Sequence, residues 1–479
     1  MKTIPDKNFN SDFKPPDSCI SSSTIESIIN AWQETGIDLP LIRPDIPTED
    51  KELLLFYIVD CIREKGGEIS KRAKVIHLAM IYIHLTRNGK ERFLKILARH
   101  FDVNIDGLEQ KVQQLKKAKN DKESIQAELL LRDALVPPRV KLLKQLITIP
   151  NGFIFLKDMR CDLLPLVKTD PRLKKLSDEI RSLLETYFEI NLLDLKEITW
   201  DSPAALLERL FEYEAVHAIP SWKALKHRLL TDHRVFAFFH YRMPDEPLIF
   251  VEVALVKGMS DNIDQLINYK VKPGDPAKAD TAIFYSISNT QKGLEGISFG
   301  NFLIKRVVKE LSRDYPNLKE FATLSPMPMF RSWLEPYLIN GGNNFFTTDE
   351  KKQICKLSEH SNASEGLLKI LNIRNWFKNN EITEIVKKPL MRFAAHYVFN
   401  VKKPNSIKAH GPVANFHLTN GAKIEHIRWL ADVSKRGIAQ SAGIMLNYHY
   451  RLDKININHE AYMATGKIHA SSDARSWLG

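Results

Sequence analysis

At 479 residues the chain is too long for one compact core, so two or three domains are expected. Hydrophobic residues make up 44% and charged residues 27%, an ordinary globular balance, and no apolar run nears the roughly 20 residues that span a bilayer. The 69 basic and 58 acidic residues leave +11, which suits an anionic partner. The charge is dispersed rather than blocked, and no aromatic-basic cluster marks a nucleic-acid binder, so a solvated surface accounts for most of it. Residues 1–22 are polar, with Pro15, Pro16 and several serines, and read as a flexible tail. From 23 to 189 nearly every segment has helical period, clearest in Lys51–Glu64, Ser70–Leu85, Lys90–Phe101, Gly107–Lys119, Lys122–Ala134 and Leu173–Tyr187. Gly66-Gly67, Asn88-Gly89, Pro137-Pro138 and Pro150-Asn-Gly stand between them as breakers, predicting an antiparallel bundle that serves as scaffold or oligomerisation domain.

Beyond residue 190 the texture changes. Ser202-Pro203 is expected to open a helix as N-cap and first residue. Val235–His240 and Pro247–Val256 read as a hairpin across Met243-Pro-Asp-Glu-Pro. Thr281–Ser288 is a third strand, rich in aromatic and β-branched residues. It leads through a loop with Gly293, Gly296 and Gly300 into a helix whose apolar face is Phe302, Leu303, Val307, Val308 and Leu311. A fourth strand, Glu320–Ser325, ends at Pro326. Together these predict a mixed sheet with at least one crossover helix over 190–479, with residues 339–390 as a polar helical insertion or lid.

Cys19, Cys61, Cys161 and Cys355 form no Cys-x-x-Cys pair, which argues against a zinc knuckle or disulfide framework and fits a reducing compartment. The N-terminus lacks a signal-peptide core and Arg-rich transit character, and Ser476-Trp-Leu-Gly479 is no peroxisomal address, so the cytoplasm is expected.

The chemistry-bearing motifs are few. A glycine loop feeding a helix N-terminus can hold phosphate on free backbone N–H groups, or can simply be a tight turn. It is neither a P-loop nor a dinucleotide fingerprint, and its layout is closer to the diphosphate loop of GNAT-type acyltransferases. Gly296-Ile-Ser298-Phe-Gly300 matches a hydrolase nucleophile elbow in letters, but a polar loop separates it from its strand. Glu214-x-x-His217 has metal-pair spacing without a second pair, and reads as surface or capping; His227, His233, His240 and His449 read as structural or exposed. Ser325, at a strand's carboxyl end, is either a turn former before Pro326 or a polar group facing a crevice. His417, in an apolar segment between glycines, is either a core residue or a functional one.

Several ordered blocks together resemble the malonyl-CoA decarboxylases. They are Phe284-Tyr-Ser-Ile-Ser-Asn-Thr-Gln, Gly300-Asn-Phe-Leu-Ile-Lys-Arg-Val-Val308, Thr323-Leu-Ser-Pro-x-Pro328, Glu214-Ala-Val-His217, Pro247–Leu255, Asn415-Phe-His-Leu418 and Ala431-Asp-Val-Ser434. The likeness begins at Ala134-Leu-Val-Pro-Pro-Arg139 and Asp158-Met-Arg160 and runs to about Tyr450. It implies an all-α N-terminal domain that assembles subunits into a homo-oligomer, followed by a GNAT-type mixed α/β domain. The implied activity converts malonyl-CoA to acetyl-CoA and CO2 with no metal, biotin or other prosthetic group, and with no membrane or nucleic-acid partner. The implied coenzyme loop is Glu295, Gly296, Ile297, Ser298, Phe299, Gly300 and Asn301. By the same resemblance Ser325 is the catalytic serine, contacting the malonyl carboxylate and formally accepting the proton. His417 is the proton donor, titrating near working pH. Lys305 and Arg306 are candidates for the coenzyme phosphates. The rival reading is a CoA-dependent acyltransferase on the same loop.

Overall fold

The computed structural model describes residues 19–36, 42–63, 67–187, 193–214, 216–297 and 303–478. Chain contacts divide it into a helical unit (1–192, with 240–244 and 291–298) and a sheet unit (193–239, 245–290 and 299–479). The expected order, a helical N-terminal region and then a mixed sheet with helices, is what the chain forms.

Short polar side chains punctuate the helical unit. Ser21, Thr86, Asn104, Asn120 and Asp170 each accept a backbone N–H at a helix start, satisfying donors that the first turn leaves open. The apolar faces of Lys51–Ile62, Glu68–His84, Arg87–His100, Pro138–Leu146 and Gly152–Leu163 bury Leu54, Ile58, Tyr82, Phe93, Leu97, Leu142 and Phe155. Each such side chain contributes about 1.5–3 kcal/mol. Asn88-Gly89, read as a breaker, lies instead in the first turn of Arg87–His100. A Cβ at Gly89 would stand 1.9 Å from the Pro44 carbonyl oxygen, so close chain approach explains that glycine.

The tail reading largely falls on residues 1–18, outside the described chain, but its last part is structured. Cys19 forms a disulfide with Cys161, and Ser21 caps Ser22–Gln33. This corrects the cysteine reading, because 142 residues separate the pair and spacing alone could not reveal it.

Among the described residues, eight strands form the sheet: β1 Leu193–Ile198, β2 His233–His240, β3 Met243–Val256, β4 Thr281–Asn289, β5 Glu320–Thr323, β6 Ser325–Pro326, β7 Lys423–Arg428 and β8 Met445–His449. Their order is β1-β2-β3-β4-β5-β8-β6, with β7 on β8. Met243-Pro-Asp-Glu-Pro247 extends β3 rather than turning, and Tyr241-Arg242 makes the turn. The helix after Ser202-Pro203 starts one residue late, with Pro203 as N-cap, because Ser202 accepts the Thr199 N–H instead.

β4 runs antiparallel to β3 and parallel to β5, and the crossover between the parallel pair is Leu303–Asp314, which buries Leu303, Ile304, Val307, Val308 and Leu311. The parallel ladder ends at Phe284 opposite Thr323, after which the chain shifts to β8 through β6. Residues 339–390 are helical as expected, within Thr348–Ser358, Ala363–Leu371 and the start of Asn380–Asn400. Among the described residues no helix is long and apolar enough to cross a membrane.

Candidate active site

The parting of β4 and β5 leaves Ser325 just past the carboxyl end of a parallel strand, where α/β sheets open a crevice. Ser325 pairs with Leu446 across an antiparallel ladder, so their side chains share a face of the sheet. Strand alternation puts Tyr448 on that face too, and Tyr450 follows one residue past the end of β8. Helix Pro412–Thr419, opened by proline at its first position, carries His417, with Ala414 one turn earlier.

Ser325 Oγ lies 3.0 Å from His417 Nε2, and both residues are buried. His417 Nδ1 lies 2.7 Å from the Tyr450 hydroxyl, and the Tyr448 ring stacks on the imidazole at 4.5 Å between centroids. The Ser325 hydroxyl donates to Thr323 Oγ1 at 2.9 Å, and Thr323 Oγ1 also accepts the Tyr448 N–H. These directions fix the tautomer. With its own hydrogen given to Thr323, Ser325 accepts from Nε2–H, and Nδ1 accepts from the Tyr450 phenol.

The pair expected from sequence is thus brought together, but its charge state differs from expectation. Burial pushes His417 from 6.5 down to about 3, so the imidazole is neutral at working pH rather than poised to titrate there. Burial, and then Tyr448, pushes the Tyr450 phenol well above its usual range, so it is protonated at rest. The result is a run of movable hydrogens, Tyr450 to His417 to Ser325 to Thr323, with no charge on it.

Tyr450 and Thr323 were not singled out from sequence. The signal was available in the period-two run Leu446, Tyr448, Tyr450, which marks one face of a buried strand. Asn447, on the other face, ties β5 to β8 through its 2.8 Å bond to the Thr323 carbonyl, and is held by Arg428 at 2.6 Å.

In the loop, Glu295, Gly296 and Ile297 are described; Ser298, Phe299, Gly300 and Asn301 lie outside the described residues, and with them the elbow-like match. The described part belongs to the helical unit. Arg160 donates to the carbonyls of Gly293 at 2.6 Å and Glu295 at 2.7 Å, and Lys157 donates to Gln291 Oε1 at 2.7 Å. A Cβ at Gly293 would stand 2.0 Å from the Lys157 carbonyl oxygen, and Gly296 sits at φ +80°, so both glycines are required by the backbone. Lys157 and Arg160 are therefore loop-holding residues that a coarse reading of a helical scaffold did not separate from surface charge.

Lys305 donates to Asn456 Oδ1 at 2.6 Å, and Arg306 donates to the Leu193 carbonyl. Glu214 is a buried cap, not a surface group. One oxygen accepts the N–H groups of Val216 and His217, and the other accepts the hydroxyls of Ser286 and Ser288. Among the described residues, no group of three or more His, Cys, Asp or Glu side chains could hold a metal ion.

Residues 191–478 match the family model for the malonyl-CoA decarboxylase C-terminal domain, and residues 101–188 match that for its N-terminal domain. The chain is 38% identical over 365 residues to mitochondrial malonyl-CoA decarboxylase of Anser anser anser, covering 74% of this chain and 72% of the relative. The mitochondrial enzyme of Rattus norvegicus is 36% identical, with 74% and 73% covered. A crystal structure of malonyl-CoA decarboxylase from Rhodopseudomonas palustris superimposes with a TM-score of 0.81 at 35% identity, over 89% of this chain and 99% of that one. Two-domain matches in order, near-full structural coverage and identity above a third leave one conclusion: the chain belongs to the malonyl-CoA decarboxylase family.

Proposed function

We propose that this protein converts malonyl-CoA to acetyl-CoA and CO2, using its own side chains without metal or prosthetic group. The observation that carries the reading is the buried, uncharged run Tyr450–His417–Ser325–Thr323. Decarboxylation breaks the bond between C2 and the carboxylate carbon, and its electron pair enters the thioester as an enolate. A cation beside the carboxylate would stabilise the substrate more than the delocalised transition state, so a neutral imidazole favours loss of CO2. Ser325 orients the carboxylate. His417 then protonates C2 from Nε2–H while Nδ1 takes the Tyr450 proton, and the phenolate recovers that proton as Nε2 takes one from solvent, the single proton that the reaction consumes.

The sheet unit supports a GNAT-type reading, with a glycine-bearing loop between a parallel strand and its crossover helix. In that reading Glu295–Asn301 takes the coenzyme diphosphate on backbone N–H groups, and Arg160 holds the loop's first half. The helical unit is the proposed assembly domain. The pair Ile105–Lys116 and Asp121–Leu135 buries only Ala127 and leaves Ile105, Ile125 and Leu129 exposed by 62%, 59% and 54%, an apolar face suited to a second copy.

The test is purified protein with malonyl-CoA, chelator and no acyl acceptor. Acetyl-CoA and CO2 forming in equal amounts is the expected result. Consumption of malonyl-CoA only when an amine or thiol acceptor is supplied would replace the reading with acyl transfer.

A further inference from the structure

A neutral imidazole carries its hydrogen on one nitrogen or the other, and only the form with Nε2–H holds a proton on the Ser325 side. The groups that touch His417 do not make that choice by themselves. Tyr450, 2.7 Å from Nδ1, and Ser325, 3.0 Å from Nε2, are both hydroxyls, and each can donate or accept. The asymmetry enters one residue further out, at Thr323. Its Oγ1 accepts the Ser325 hydrogen at 2.9 Å and the Tyr448 N–H at 3.2 Å. A backbone N–H can only donate, so β8 holds this oxygen as an acceptor. Thr323 is fully buried, and its carbonyl accepts from Asn447 Nδ2 at 2.8 Å. Asn447, equally buried, also donates to the Ser260 carbonyl at 3.1 Å and accepts from Arg428 Nε at 2.6 Å. Consecutive residues of β8 therefore grip Thr323 at both ends, Asn447 by its carbonyl and Tyr448 by its hydroxyl.

We propose that Thr323 is a positioning residue that keeps the proton of His417 on Nε2, by taking the Ser325 hydrogen whenever no substrate carboxylate is there to take it. The inference rests on the decarboxylase reading above. In the free enzyme Ser325 gives its hydrogen to Thr323 and turns a lone pair to His417, which holds the imidazole hydrogen on Nε2. The malonyl carboxylate, being charged, is the stronger acceptor and takes the serine hydrogen on binding, while Ser325 still accepts from Nε2–H. When the C2–carboxylate bond breaks, its electron pair stays in the enolate and CO2 leaves, so the serine loses that acceptor. Thr323 takes the hydrogen back, and Nε2–H remains available to C2. Without the threonine oxygen the serine hydrogen turns to Nε2, which places the imidazole hydrogen on Nδ1 and leaves no proton facing C2.

NMR of protein labelled at its histidine ring nitrogens reads the tautomer at neutral pH, with the His417 signals identified by their loss in His417→Gln. In the wild type Nε2 is expected to be protonated and Nδ1 bare. The reverse assignment overturns the proposal, whether or not any variant folds. Thr323→Val keeps the shape of the side chain and removes its oxygen. It should move the hydrogen to Nδ1 and lower kcat for CO2 release by about tenfold or more, with KM within about twofold. Thr323→Ser restores the oxygen, and should return the hydrogen to Nε2 and bring kcat to within about threefold of wild type. A Thr323→Val protein that melts earlier but keeps Nε2–H and full turnover per folded molecule would make the threonine merely structural and sink the proposal. A wild type that releases no CO2 from malonyl-CoA, with the tautomer still answering to Thr323, would instead remove the decarboxylase reading and the catalytic role drawn from it.

Discussion

The helical unit buries charge in matched sets, whereas the reactive corner of the sheet unit buries groups that carry none. Arg139 is fully enclosed and is met by Glu179 at 2.6 Å, Asp102 at 3.1 Å and the Ala98 carbonyl at 2.9 Å. Lys90 meets Asp162 at 2.8 Å, and Lys157 meets Asp158 at 2.8 Å. Such sets lock helices in register, because each ion is held by fixed partners and its loss strands the others. The Tyr450–His417–Ser325–Thr323 run does the opposite: each member could pass its hydrogen on, and no ion pins it. Fixed charge builds the frame, and neutral hydrogen-bonded groups keep protons available for chemistry.

Breaking each side should give distinct signatures. The largest effect is expected from Arg139→Met, which strands Glu179 and leaves Asp102 to Lys175 alone. Unfolding free energy should fall by about 3–5 kcal/mol in urea denaturation, while turnover per folded molecule is kept. Ser325→Ala and His417→Ala should each lose kcat by roughly two decades or more, with the melting temperature little changed. A stability loss at Ser325 as large as that at Arg139 would erase the contrast. Arg160→Met sits between the two classes, since it frees loop carbonyls rather than a reacting group. Its KM for malonyl-CoA should rise about tenfold, equivalent to 1.4 kcal/mol, with kcat within about twofold.

A further contrast is in pH dependence. The unfolded chain protonates an imidazole at its ordinary 6.5, but burial holds native His417 neutral down to about 3. Between those values the unfolded state binds the extra proton, so stability present above 6.5 is lost as pH falls through the window. His417→Gln should flatten that slope by up to about tenfold in folding constant per pH unit. An unchanged slope between pH 7 and 5 would mean that the native imidazole titrates normally.

Much of the architecture was legible because it follows local periodicity. The crossover helix announces itself by Leu303, Val307, Val308 and Leu311 at helical spacing, and β4 by its β-branched and aromatic run. Where local rules failed, a distant contact had overruled them. Gly89 reads as a breaker but answers to Pro44, and Met243–Pro247 reads as a turn but finds a strand partner. Cys19 and Cys161 look unrelated until the chain folds back across 142 residues.

The site divides in the same way. Ser325 and His417 could be named from the blocks around them, but nothing local says that 92 residues of chain close to 3.0 Å. Their residue types, the strand-end position and the family blocks lie in the sequence itself. The charge on His417 and the tautomer set by Thr323 and Tyr450 belong to the tertiary structure. The reason is physical: chemistry at an imidazole depends on desolvation and on what faces each nitrogen, and both are properties of packing across strands and helices rather than of neighbours along the chain.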